Sequence, residues 1–307
     1  MLILLLTAVL EINKKMRGLY LFAFIFLAIG LFHFPSIAKG VTVGPVKLEI
    51  SADPGDVVRG ELFLMNDEKE TKIFSPVFEK FIEENGDKKF IAEKSDLASW
   101  FEINYPITLK PQESKNIPFI LRIPKDASPG GHFAVIWWSA AVPGAGQVSI
   151  VTRAGILVYL RVSGDIKEEA KILQFNTDKK IYWNPPVIFS INLENSGTVY
   201  LKPKGEITIK NLFGSTKVII NVNTKDLSIL PQSKKTIIEQ WDFSGFVLGP
   251  YRVRMNLVYG ETQKQIQKTL WFFVLPLKLI GIIILIILIV FIAIPQYNRW
   301  LLRKYKS

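Results

Sequence analysis

From residue 39 to residue 270 the apolar positions recur at every second residue, the period of a strand with one buried face rather than of a helix. In the stretch Gln147–Ser163, Val148, Ile150, Thr152, Ala154, Ile156, Val158, Leu160 and Val162 share one face, and Ser149, Arg153, Gly155, Arg161 and Ser163 lie on the other with Val151, Leu157 and Tyr159. Phe189, Ile191 and Leu193 alternate with Ser190, Asn192 and Glu194, and Tyr251, Val253, Met255 and Leu257 with Arg252, Arg254 and Asn256. Turn signals separate such runs: Asp53-Pro54-Gly55-Asp56, Asn85-Gly86-Asp87, Ser128-Pro129-Gly130-Gly131, Asn195-Ser196-Gly197 and Leu248-Gly249-Pro250. Many short strands with regular turns predict an all-β chain of antiparallel sandwiches, with one short helix at Ser95–Trp100 capped by Ser95. A charged stretch, Lys167-Glu168-Glu169, follows Ser163-Gly164-Asp165 and places a boundary there, giving sandwiches over residues 39–164 and 165–272. So short a linker predicts two stacked domains with limited freedom.

The two ends of the chain obey a different rule. Leu279–Ile294 contains only Ile, Leu, Val, Phe, Ala and one Gly, and a basic tail with Arg299, Arg303, Lys304 and Lys306 follows. A helix over 275–295 spans about 30 Å, one bilayer core. Lys278 sits at its outer end, where a lysine snorkels to the headgroups. Positive charge stays cytoplasmic, so residues 296–307 are expected inside and the sandwiches outside. At the other end, Leu19–Phe34 is apolar, follows Lys14, Lys15 and Arg17, and leads to Ser36-Ile37-Ala38. This predicts a signal peptide over 1–38, cleaved after Ala38, with Met16 as the expected true start.

Charge and composition then exclude several functions. The net charge of +11 resides largely in the termini: residues 271–307 carry five Lys/Arg and no acid, and residues 39–270 are only mildly basic. Nucleic acid therefore loses its electrostatic support as a partner. Cysteine is absent and His132 is the one histidine after cleavage, which excludes thiol catalysis and leaves Cys/His zinc sites or a Ser-His-Asp triad little to work with. Asp53 and Asp56 are too few for calcium and read as a type II turn around Pro54-Gly55. Glu79, Glu83, Glu84 and Asp87 read as a solvated rim rather than a hydrolase pair. No catalytic residue, metal site or cofactor is assigned.

One strand stands out. Phe133, Val135 and Trp137 share one face and Ala134, Ile136 and Trp138 the other, so both faces are apolar. A two-layer sandwich needs only one. Either one Trp is core and the other lies beneath the Gly144–Gly146 loop or the second domain, or Phe133, Trp137 and Trp138 form a partner or glycan surface, with Trp138 its exposed contact. A polar strand, Gln263–Lys268, is the candidate edge for strand addition, or its lysines block such pairing.

The ordered set of elements resembles the WxL-interacting proteins of Gram-positive bacteria. The matching stretches are Ala52–Asp56 leading into Glu61–Asn66, Glu84-Asn85-Gly86, Ile107–Ser114, Leu121–Pro124, Ser128–Phe133 and Glu194–Pro203. Phe74, Phe78 and Phe81 and the Trp137-Trp138 pair depart from that pattern. The resemblance implies two immunoglobulin-like domains on one membrane helix, with peptidoglycan near the first and WxL-type surface proteins as partners. The expected function is a non-enzymatic, membrane-anchored surface protein that binds peptidoglycan or another wall polymer, surface proteins, or both. The alternative is an accessory subunit or assembly chaperone of an envelope complex.

Overall fold

A computed structural model describes residues 40–84, 86–93, 96–141, 153–244 and 247–304, the side chains at 141, 278–280 and 299–304 excepted. The signal peptide, the Met16 start, the Ser95 cap and the Gly144–Gly146 loop lie outside these residues.

The first sandwich is built from β1 (Val41–Gly44), β2 (Lys47–Ala52), β3 (Val57–Asn66), β4 (Lys72–Glu84), β5 (Asp87–Ile91), α1 (Asp96–Trp100), β6 (Phe101–Ile103), β7 (Ile107–Leu109), β8 (Ser114–Arg122), β9 (Gly130–Ala141) and β10 (Arg153–Val162). One sheet runs β1-β3-β8-β6. The other runs β2-β10-β9-β4-β5, with β7 on β4. The first strand is thus split between sheets: β1 pairs antiparallel with β3, and β2 pairs parallel with the last strand, β10.

The second sandwich repeats this wiring with β11 (Ala170–Thr177), β12 (Ile181–Tyr182), β13 (Val187–Asn195), β14 (Lys204–Asn211), β15 (Thr216–Val222), β16 (Ser233–Trp241), β17 (Gly249–Tyr259) and β18 (Lys264–Val274). Its sheets are β11-β13-β16 and β12-β18-β17-β14-β15, and β12 pairs parallel with β18 as β2 does with β10. In immunoglobulin terms each sandwich has an A-B-E layer, extended by β6 at the D position in the first, against an A′-G-F-C-C′ layer. Among the described residues the fold is all-β apart from α1 and the long α2 (Leu277–Lys304).

The period of two explains the layers. Ile156, Val158, Leu160 and Val162 of β10 are fully buried in the first core with Leu62, Leu64 and Leu121. Phe189, Ile191, Leu193, Val253, Met255 and Leu257 fill the second. The same device closes the β3 and β13 ends. Asn66, fully buried, donates to the Glu70, Leu109 and Lys110 carbonyls and accepts from the Glu68 N–H. Asn195, also fully buried, donates to the Val199 and Ile229 carbonyls and accepts from the Gly197 N–H. An asparagine can satisfy a turn's N–H and its carbonyls at once, where an apolar residue would leave them unpaired in the core. Gly55 (φ +93°) occupies the third position of the Asp53–Asp56 turn, closed by Asp56 N–H to the Asp53 carbonyl at 3.1 Å.

α2 contains an 18-residue window, Gly281–Asn298, of mean hydropathy 2.3 with none of it buried against protein. It is long and apolar enough to cross a membrane. The helix continues past Pro295 to Lys304, and the second sandwich reaches Val274, leaving only Leu275-Pro276 between them.

Candidate functional site

The doubly apolar strand is β9, and its two faces do different work. Trp138 is not an exposed contact: it is fully buried in the first core with Ala134 and Ile136. Phe133, Val135 and Trp137 point out of the sandwich. Val135 packs with Phe81 and Tyr159 beneath Leu230, and Phe133, Trp137 and Tyr200 are half-buried around them. Leu230 and Tyr200 belong to the second sandwich, so this outer face is a junction between domains. The Tyr159 ring lies 5.2 Å from Tyr200 and 5.4 Å from Phe81. Burial first, then the Glu83 and Glu49 carboxylates, push the Tyr159 hydroxyl well above the ordinary tyrosine range. Phe133 therefore serves the junction. Trp137 stays at its border, where its Nε1 donates to Glu79 at 2.8 Å, Arg153 stacks on it at 4.5 Å, and Phe90 meets it edge-on at 5.1 Å.

Two of the acids expected on a solvated rim are also engaged. The Glu83 side chain is 1% exposed. It accepts from the Leu230 N–H and the Ser233 hydroxyl, both at 2.9 Å, and is ion-paired with Lys235. Glu79 is 15% exposed and holds Trp137 and Arg153. Glu84 does sit in solvent, 2.9 Å from Lys89. Lys202 spans the domains between Glu49 at 2.5 Å and Asp226 at 2.7 Å. The bonds from Lys202 and Lys204 lower the Asp226 pKa to about 2. In the linker, burial alone would raise the Glu168 pKa. Arg161 at 2.8 Å and the Glu261 N–H at 3.0 Å outweigh it and hold the carboxyl below its ordinary 4.5. Gly130 (φ +131°) lets the two sandwiches approach closely: a Cβ there would stand 3.0 Å from the Thr198 carbonyl, which accepts from Gly131 N–H at 2.8 Å. His132 bonds the Ser128 carbonyl at 2.9 Å beside Trp100, a structural placement.

With β9 committed to packing, the accessible site lies elsewhere in the first sandwich. β4 pairs with β7 over Lys72–Phe74 and with β5 over Lys80–Glu84. Between these, Ser75–Glu79 is paired on one side only, with β9, among the described residues. Pro76 sits in this gap, where a missing N–H costs no ladder bond on the open side. In the other sheet β6 is an end strand paired with β8 alone. Both open stretches border one groove of about 670 Å³, lined by Val77, Phe78, Phe101, Ile103 and Tyr105. Phe78 and Phe101 are in ring contact at 5.5 Å, while Val77 and Tyr105 are 45% and 62% exposed. The lining acids are neutralised: Glu102 pairs with Arg122 at 2.6 Å and Glu79 with Arg153 at 3.4 Å. The arrangement offers unpaired main chain beside an apolar slot, in the size range of ligand sites. The composition of β4 and β6 did not reveal it.

The sequence-predicted edge, Gln263–Lys268, falls mostly in β18. That strand has β17 along its whole length and β12 only at Phe273–Val274, so Lys264–Lys268 is also open on one side among the described residues. It carries exposed lysines and glutamines and no apolar slot.

The chain matches no protein-family model and no curated protein. Solved structures similar in build include the class 5 fimbriae chaperone CfaA (12% identity, 75% of this chain and 98% of that chain, TM-score 0.40). The E. coli chaperone DraB (13% identity, 76% and 98%, TM-score 0.36) and the Pseudomonas aeruginosa CupB2 chaperone (10% identity, 74% and 98%, TM-score 0.36) are others. The likeness is one of general build and says nothing of ligand or partner.

Proposed function

We propose that this chain is a non-enzymatic ectodomain on a single membrane helix that binds an extended segment of a protein partner in the β4–β6 groove. The observation that carries this is the gap in the ladder at Ser75–Glu79, opening on an apolar slot rather than on solvent. An incoming strand would bond the free main chain of β4 or β6 and place alternate side chains against Val77, Phe78 and Tyr105. This is the accessory or assembly-chaperone reading, with the sandwiches outside and the basic end of α2 inside. WxL-type surface proteins are the partner class to which the sequence resemblance points. Wall polymer is the weaker reading, since two of the three aromatics assigned to it, Phe133 and Trp138, are occupied in packing.

The test uses the full chain in lipid nanodiscs and a panel of seven-residue peptides alternating apolar and polar positions. Saturable binding, with slowed amide exchange at Ser75–Glu79 and Phe101–Ile103 and abolished by Val77→Arg, is expected. Binding that leaves those amides unprotected, or that survives Val77→Arg, overturns the groove reading. Salt-resistant co-sedimentation with purified peptidoglycan, unchanged in Val77→Arg, would return the weight to a wall polymer.

A further inference from the structure

The end of the second sandwich next to α2 is unlike the rest of its surface. β18 delivers the chain to the helix through Leu275-Pro276, a distance of about 7 Å. Strand register shows what else lies at that level. Gly249 pairs with Val274, Asn211 with Tyr251, and Ile181 with Phe273. The β14–β15 turn, the start of β17 and the segment around β12 therefore all end where the helix begins.

Each of these segments carries a large apolar side chain in solvent. Phe213, at the tip of the β14–β15 turn, is 91% exposed and Leu212 63%. Leu248, before β17, is 44% exposed, and Trp183, after β12, 43%. Trp271 and Phe273, on the outer face of β18, are 52% and 48% exposed. Exposed Lys179, Lys180, Lys210 and Arg252 accompany them. Arg252 pairs in register with Trp271 and Lys210 with Arg252, which puts cation, cation and indole side by side. Isolated exposed hydrophobics need no explanation, but four separate segments converging on one end do. Tryptophan flanked by Lys and Arg, at the mouth of a membrane-length helix, is the composition of a bilayer interface.

We infer that this end is a membrane seat: the Leu212-Phe213 tip, Trp183, Leu248 and the end of β18 enter the headgroup layer around the mouth of α2. The occupant is the lipid surface itself, because a helix leaving two residues after β18 holds that end against the bilayer. The seat fixes the tilt of the ectodomain, so the first-sandwich groove is presented at a set height and direction.

The inference rests on α2 crossing a bilayer, and the test separates the two. The chain contains no cysteine, so single-cysteine variants take one spin label each. Full-length Phe213→Cys and Leu248→Cys are placed in phosphatidylcholine–phosphatidylglycerol vesicles, with Ile219→Cys and Ile238→Cys, exposed mid-strand residues of β15 and β16, as references. Labels at 213 and 248 are expected to be several-fold more accessible to oxygen than to a water-soluble nickel chelate, and those at 219 and 238 the reverse. A label at 213 as open to nickel as one at 238, in protein that floats with the vesicles, overturns the seat and leaves the anchor standing. Shielding of 213 from both reagents means a protein contact and also overturns it. Protein that fails to float overturns the anchor and the seat together.

Discussion

The G-F-C layers of the two sandwiches share one wiring and present opposite outer faces. In the first, that face is Phe133, Val135 and Tyr159, covered by Leu230 and Tyr200. In the second, the outward side chains of β14 and β17, Thr208, Lys210, Arg252 and Arg254, line a shallow polar cleft. A sandwich needs only one buried face per sheet, so a second apolar face is a statement about what covers it. Here the cover is the neighbouring domain, and the spare apolar surface of the first sheet is what turns two beads into one body.

The comparison makes graded predictions. Trp138→Ala, which empties the first core, should cost about 3–5 kcal/mol and lower the denaturant midpoint steeply. Glu83→Ala removes one partner of a buried ion pair and strands Lys235 between domains, at a cost of about 3 kcal/mol. It should split unfolding into two transitions, and a single unchanged transition would mean that the junction does not couple the sandwiches. Leu230→Ala thins the same contact at about 2 kcal/mol. Acid acts more gently. The folded pKa of Glu168 lies below its unfolded value, so its contribution is intact above about 4.5 and is lost as pH falls through the folded value. The melting temperature of Glu168→Gln should therefore vary less than that of the parent between pH 6 and pH 3. Smallest of all, Arg254→Ala on the open face should shift stability by less than about 0.5 kcal/mol. A larger loss would mean that this face too is covered.

How far the sequence disclosed this follows from the range of each interaction. The layers were legible because alternation is local, as was the turn at Gly55. The double apolar face of β9 was visible as an anomaly, but which face met which neighbour was not, because Leu230 lies far along the chain. Glu83 read as solvated for the same reason: Lys235 is 152 residues away. The groove was missed because β4 and β6 each look complete alone. Pro76 inside an apolar strand was the one available sign that β4 has an unpaired stretch.

The chain leaves the second sandwich along the axis of β18, a strand laddered to β17 from Gly249–Val274 through Tyr259–Lys264. With α2 held in a bilayer and a partner bound as proposed, a pull between them would load that ladder lengthwise. Its bonds then share the tension in shear instead of opening one after another from an end. On that reading β18, the strand next to α2, is also the tension-bearing member of the second sandwich.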